Sequence, residues 1–362
     1  MKINLQLFNS LSFVIFAAYL PSIAPTLAQE FSTATITPVA FPGTSLSSRI
    51  TRLYRNDGKT ESGFTFTEVS SGLPAVSDAA VAWGEYDKNG DPDIIITGWD
   101  GSANLTKIFR NDNGSFVDIG ASIAAFSSAS VAWGDYDKDN DLDLIITGIT
   151  TAAATKLYRN DNGVFNEVTG SGFVNVSNGT PGGVVWVDYD NDTYLDMMLV
   201  GYTGSTRVAK LYYNNHDGTF SDVTSAVFPN YGPGQDHSLF GVDHGCIAWG
   251  DFNNDGYLDL AYNGSGLRSL ASKFRYYQYN WDGTYQDLTA AMSGMRGTMN
   301  GPVTWGDYNN DGYLDLLIGG YAINDFIAPD PSPITRVYLN YSGGSLSNIG
   351  AAFTAVFRGS GV

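Results

Sequence analysis

Five stretches of the sequence carry oxygen-bearing side chains on one fixed stagger. In the second, Asp135, Asp137, Asp139, Asp141 and Asp143 fall at alternate places, numbered here 1, 3, 5, 7 and 9. The others read Glu85, Asp87, Asn89, Asp91 and Asp93; Asp188, Asp190, Asp192, Tyr194 and Asp196; Asp251, Asn253, Asp255, Tyr257 and Asp259; and Asp307, Asn309, Asp311, Tyr313 and Asp315. Carboxylates so crowded repel one another unless a cation sits among them. Calcium takes six to eight oxygens in flexible geometry. A curled loop aims the side chains at 1, 3 and 5 inward, lets the backbone carbonyl at 7 join them, and closes with the carboxylate at 9. Only a carbonyl is asked of position 7, so tyrosine is acceptable there. Position 6 must turn sharply, which suits Gly90, Asn140, Gly256 and Gly312 and penalises the β-branched Thr193. Up to five calcium ions are therefore expected, the third loop binding most weakly. These loops are not EF-hands, which need a carboxylate at position 12 and flanking helices.

The elements that position the loops repeat with them. Each loop follows a strand ending in a tryptophan (Trp83, Trp133, Trp186, Trp249 and Trp305) and leads into an apolar strand such as Asp143 to Thr147. A second motif alternates with the first: LYRNDG from Leu53, IFRNDNG from Ile108, LYRNDNG from Leu157 and their relatives, each followed by a short alternating run. β-Formers around an Asn/Asp-Gly turn mark a hairpin. Four antiparallel strands recurring every 50 to 63 residues predict an all-β fold, a β-propeller of four-stranded blades. Two-sheet sandwiches need more strands per unit than this spacing supplies. The count predicts six blades, with a degenerate, loop-free blade from Phe31 to Val69 and a C-terminal hairpin completing the fifth unit. A seven-bladed ring and an incomplete ring are the alternatives, and an incomplete ring would expose strand edges and favour oligomers.

Composition narrows the function. The net charge is −18, and the loops hold about half of the 37 acidic residues. This excludes nucleic acid as a partner, and five bound dications would bring the charge to about −8. The single cysteine, Cys246, rules out an intrachain disulfide framework. Lys2, the apolar run from Leu11 to Leu20, and Thr26-Leu27-Ala28 resemble a secretory leader over 1–28. The predicted organisation is thus a signal peptide at 1–28 and a propeller at 29–362, secreted or at the cell surface. No later segment is apolar enough to span a bilayer, so no membrane insertion is expected after leader removal.

The Trp-Gly-Asp-Tyr-Asp pattern with its nine-residue acidic loop resembles the FG-GAP and VCBS repeats of integrin α-subunits and many bacterial surface proteins, over nearly all of residues 50 to 362. The resemblance implies a calcium-stapled propeller with each metal loop joining the first two strands of a blade. It also implies an adhesion-type module for an extracellular protein or glycan ligand rather than an enzyme. A structural or assembly module and a propeller-type glycan-active enzyme are the competing readings. Outside the repeats, Trp99 and Trp281 could stack on sugars. Asp236, His237, Asp243, His244 and Cys246 offer metal-binding types, although Cys246 falls at an ordinary strand position. Arg55, Arg110 and Arg159 lie in turns that could meet anions, and Asn-x-Ser/Thr sequons occur at Asn104, Asn113, Asn263 and Asn340.

Overall fold

A computed structural model describes residues 5–7, 49, 51–60, 63–179, 182–230, 238–266, 272–292, 295, 297–322, 332–341, 346–349 and 359–361. Most of the expected leader and of the segment from Phe31 to Val69 upstream of 51 lies outside them, as do Asp236 and His237.

The alternating motifs fold into antiparallel blades of a six-bladed β-propeller. Blade 1 runs Ser77–Gly84, Asp93–Trp99, Asn104–Asp112 and Ser115–Asp118. Blade 2 runs Ser127–Gly134, Asp143–Ile149, Ala153–Asp161 and Val164–Val168. Blade 3 runs Val184–Val187, Asp196–Tyr202, Arg207–Asn214 and Phe220–Asp222. Blade 4 runs Ile247–Gly250, Asp259–Ser265, Ser272–Asn280 and Thr284–Asp287. Blade 5 runs Val303–Gly306, Asp315–Ala322, Ser332–Asn340 and Leu346–Asn348. The last two of these strands are the expected C-terminal hairpin, paired into the fifth sheet. The sixth blade is represented among the described residues by the hairpin Leu53–Thr60 with Gly63–Val69, which has no acidic loop. Leu53 packs beside Val76, Ile94 and Phe109 of blade 1. Leu5–Leu7 pairs with Gly359–Gly361, joining two distant parts of the chain.

The second strand of each blade is sandwiched between neighbouring blades, so both of its faces are covered. That is why it reads as an unbroken apolar run rather than an alternating one. Ile94, Ile95, Leu144, Ile145, Ile146, Met197, Met198 and Leu199 are all fully buried. Only one short helical turn, Thr224–Val227, and a 3-10 turn, Thr289–Ala291, interrupt the β-structure among the described residues.

The repeated Trp-Gly pair explains how blades meet. Three of the tryptophans, Trp133, Trp186 and Trp305, lie on the glycine of the preceding blade. A Cβ on Gly84, Gly134 or Gly250 would come within 2.7, 2.5 or 2.7 Å of Cδ1 of Trp133, Trp186 or Trp305. The same indoles stack on the aromatic at loop position 2: Tyr86 with Trp133 at 6.4 Å and 13°, and Tyr136 with Trp186 at 6.0 Å and 6°. Phe252 meets Trp305 at 5.6 Å and 41°. These tryptophans are seam fillers, as their fixed place beside the loops predicts.

Candidate metal centres

Every acidic loop joins the first two strands of a blade, and its backbone is wound by its own side chains. The carboxylate at position 1 accepts the position-6 amide: Asn140 to Asp135 at 3.0 Å, Thr193 to Asp188 at 3.0 Å, Gly256 to Asp251 at 2.9 Å and Gly312 to Asp307 at 3.0 Å. In the first loop the Asn89 amide donates to Glu85 at 2.9 Å. Position 5 accepts the position-7 amide in all five loops, at 2.7 to 2.9 Å. Position 6 takes the left-handed conformation foreseen for it, with φ of 93° at Gly90, 68° at Asn140, 90° at Gly256 and 89° at Gly312. Thr193 is forced there too, at 77°.

Position 9 anchors the loop to the blade. Asp93, Asp143, Asp196 and Asp259 have no exposure at all and Asp315 only 2%. One oxygen of Asp143 accepts the Tyr136 amide at 3.1 Å and the other the Asn160 amide at 2.9 Å. Asp93, Asp196 and Asp315 repeat this pairing with Tyr86 and Asn111, Tyr189 and Asn214, and Tyr308 and Asn340. Asp259 takes the Tyr279 amide at 3.0 Å and the Tyr276 hydroxyl at 3.2 Å. The loop is therefore tied to the third strand of its own blade.

Three oxygens then converge. Ligand atoms of Glu85, Asp87 and Asp93 lie within 4.8 Å of one another, as do those of Asp135, Asp137 and Asp143, and of Asp188, Asp190 and Asp196. In loops four and five the third position is the amide Asn253 or Asn309, so no carboxylate triad forms at 1, 3 and 9. Burial pushes Asp143 up to about 8, Asp196 and Asp259 to about 7, and Asp93 to about 6, with neighbouring loop charges adding to the rise. Asp137 and Asp190 are raised for the same reasons. Oδ1 of Asp135 and Oδ1 of Asp188 are buried with no hydrogen-bond partner. Buried anionic oxygens without donors are what a hard dication supplies a partner for, and an all-oxygen donor set suits it. The residues present fit a bound divalent metal.

The expected ligand set needs one refinement. The side chains at position 7 turn outward to the hairpin between strands three and four. Asp91 and Asp141 accept the amides of Asn113 and Asn162, at 2.8 and 2.9 Å. Tyr194 stacks on His216 at 3.9 Å, and Tyr257 on Tyr279 at 4.3 Å. Position 7 is left with its carbonyl for a metal, as the tyrosines suggested.

Sequence reasoning missed position 4. Lys88, Lys138, Asn191, Asn254 and Asn310 all have φ between 56° and 62°. Four of them reach the next blade's loop. Lys88 pairs with Asp141 at 2.6 Å, and Lys138 donates to the Thr193 hydroxyl. Asn191 donates to the Gly256 carbonyl at 3.1 Å, and Asn254 to the Gly312 carbonyl at 2.9 Å. The signal was present, since Lys or Asn recurs there in every repeat. Strand-three asparagines form a second set of ties. Asn160, Asn214 and Asn340 donate to the carbonyls of Tyr86, Tyr136 and Phe252 in the preceding loops.

The remaining candidates resolve into structure. Arg55, Arg110 and Arg159 pair with Asp57, Asp112 and Asp161 across their turns, at 2.7 to 2.9 Å. Cys246 is buried immediately before the strand Ile247–Gly250. Burial would raise Asp243, but His244 at 3.2 Å and Arg207 at 2.8 Å hold it below the usual carboxylate range. No helix of the described residues is long and apolar enough to cross a membrane.

A family model described as FG-GAP-like repeat matches residues 86–146, 198–262 and 251–318. No curated protein matches the sequence. Among solved structures, the chain is similar to one described as an endo-1,4-beta-xylanase from Bacteroides thetaiotaomicron. The identity is 12%, the match covers 81% of this chain and 99% of that one, and the TM-score is 0.38, a likeness too slight to bear on activity.

Proposed function

The chain belongs to the family of FG-GAP-like repeat proteins, and from that premise we propose that it is a secreted or surface-exposed, calcium-stapled binding module for an extracellular protein or glycan. Its loops hold calcium through the side chains at positions 1, 3, 5 and 9 and the carbonyl at 7. The observation that carries this reading is the pair of buried, partnerless oxygens on Asp135 and Asp188, each beside a desolvated position-9 carboxyl. The ions act on the fold: each lies where a loop is tied to its own third strand and, in the first four loops, through position 4 to the next blade. The ring then presents its loops as a rigid recognition surface. Each site at 100 times its Kd adds about 2.7 kcal/mol, so several sites together decide whether the ring persists.

Two measurements test this. Thermal melting in excess calcium and in chelator should differ by many degrees, and an unchanged midpoint refutes the structural metal. An array of glycans and surface proteins, probed with the calcium-loaded protein, should yield a ligand that is retained unaltered. Turnover of an array glycan would make the protein an enzyme instead.

A further inference from the structure

Trp281 is the most exposed large hydrophobic side chain among the described residues, at 71%. It occupies the hairpin place held by Asn113, Asn162 and His216 in blades 1 to 3. The alignment is fixed by the residue two before it, Asn111, Asn160, Asn214 or Tyr279, whose amide donates to the position-9 carboxylate. Trp281 is not a loose ring. It meets Tyr257 edge to face at 5.1 Å and 76°, Tyr257 stacks on Tyr279 at 4.3 Å, and Tyr279 meets the fully buried Tyr285 at 5.4 Å. A ladder of four rings runs from the core to the surface beside the fourth acidic loop.

The neighbouring seam shows what such a corner accepts. In blade 3 the equivalent Tyr194 stacks on His216, and Lys138 from blade 2 sets its ammonium 3.6 Å from the Tyr194 ring centre. The residue corresponding to Lys138 at the next seam is Asn191, which is uncharged and ends on the Gly256 carbonyl. Among the described residues no lysine or arginine lies over Tyr257 or Trp281. Asp282 adjoins the indole in an exposed turn, and the chain as a whole carries −18. An aromatic face in a negative field attracts a cation.

We propose that the Tyr257–Trp281 corner is a docking site for a basic side chain, lysine or arginine, of a polypeptide partner. The proposal rests on the binding-module reading and names the chemistry of its ligand. A cation over an exposed ring is worth about a fivefold gain in affinity, and more where the contact excludes water.

The test uses the full chain loaded with calcium and two peptides, one containing arginine and lysine, the other with citrulline and norleucine in their places. Affinities for the parent and for Trp281→Ala are measured by isothermal titration calorimetry, and in the parent the Trp281 indole N–H signal is followed by NMR. The basic peptide should move that signal saturably, bind about fivefold more weakly to Trp281→Ala, and weaken as salt rises. The neutral peptide should leave the signal in place. Because Trp281 is exposed, Trp281→Ala should keep the calcium-dependent melt of the parent, which verifies folding. Equal affinity of the two proteins, or of the two peptides, overturns the proposal. So does movement of the Trp281 signal by a neutral oligosaccharide such as xylohexaose with none by the basic peptide, which would assign the corner to sugars. An array ligand bound equally by Trp281→Ala removes this site and leaves the binding-module reading standing.

Discussion

Replacing Asp143 by asparagine should have opposite effects with and without metal. In the cation-free protein the Asp143 carboxyl is pushed up to about 8 by burial, against an ordinary value of about 3.9 in the unfolded chain. Between those two values the folded state holds a proton that the unfolded chain has released. Stability is therefore fully present below about pH 4 and declines by about 1.4 kcal/mol per pH unit until the pH passes 8. The cost is about 5 kcal/mol at pH 8 and about 1.5 kcal/mol at pH 5. Asparagine removes this cost but can accept only one of the two amides, from Tyr136 and Asn160, that now bind the carboxylate. An orphaned amide costs about 1–3 kcal/mol. In chelator Asp143→Asn should thus be more stable than the parent by about 3 kcal/mol at pH 8 and about equal to it at pH 5. In saturating calcium the order should reverse, because a charged ligand is lost. Urea unfolding at the two pH values, with calcium and with chelator, measures all four states. If parent and variant show the same pH slope in chelator, the buried carboxyl is not the source of the calcium dependence and the argument fails.

Other expectations follow from particular contacts. Gly134→Ala drives a Cβ to 2.5 Å from Trp186 and should cost about 1–3 kcal/mol in unfolding free energy. Gly306→Ala, with nothing within 4 Å of its Cβ, should change it by less than about 0.5 kcal/mol; equal losses would show that the seam is not what selects glycine. Asp188→Ala should remove less calcium-dependent stability than Asp135→Ala, because Thr193 holds its turn at φ 77° at a cost of about 1–2 kcal/mol, and the reverse order in matched melts would discard turn strain as the controlling quantity. Asn254→Ala cuts the tie to the fifth loop and should destabilise the loaded protein by about 1 kcal/mol, lowering calcium affinity at Asp307 to Asp315; calorimetric titration with unchanged affinity at every site would separate the loops from one another.

The sequence made the acidic loops, the strand order and the seam tryptophans readable, because each rests on a short-range pattern repeated five times. Alternate acids specify a loop whether or not the rest of the blade is known, and an Asn-Gly turn specifies its hairpin locally. What it left hidden crosses between repeats. The lone-pair needs of Asp143 are met by Tyr136 within the loop and by Asn160 from another strand, and Asn160 also donates to Tyr86 in the preceding blade. A residue serving two blades has no periodic signature apart from its own recurrence, and Asn111, Asn160, Asn214 and Asn340 recur inside a strand motif that already had a reason to exist. Position 4 was hidden in the same way, by sitting among acids that drew attention to metal chemistry.

Blade 4 shows how these cross-blade ties constrain variation. Tyr279 stands where blades 2, 3 and 5 have the bridging asparagine, so the Tyr189 carbonyl of blade 3 loses its expected donor. The Tyr285 hydroxyl lies at 3.4 Å from that carbonyl and at 2.9 Å from the Leu258 carbonyl. The tie is thus carried by a different strand, and Tyr279 is free to stack on Tyr257. Losing an amide side chain at the seam and gaining an aromatic ladder to the surface are therefore one event, which gives Trp281 its rigid support in blade 4.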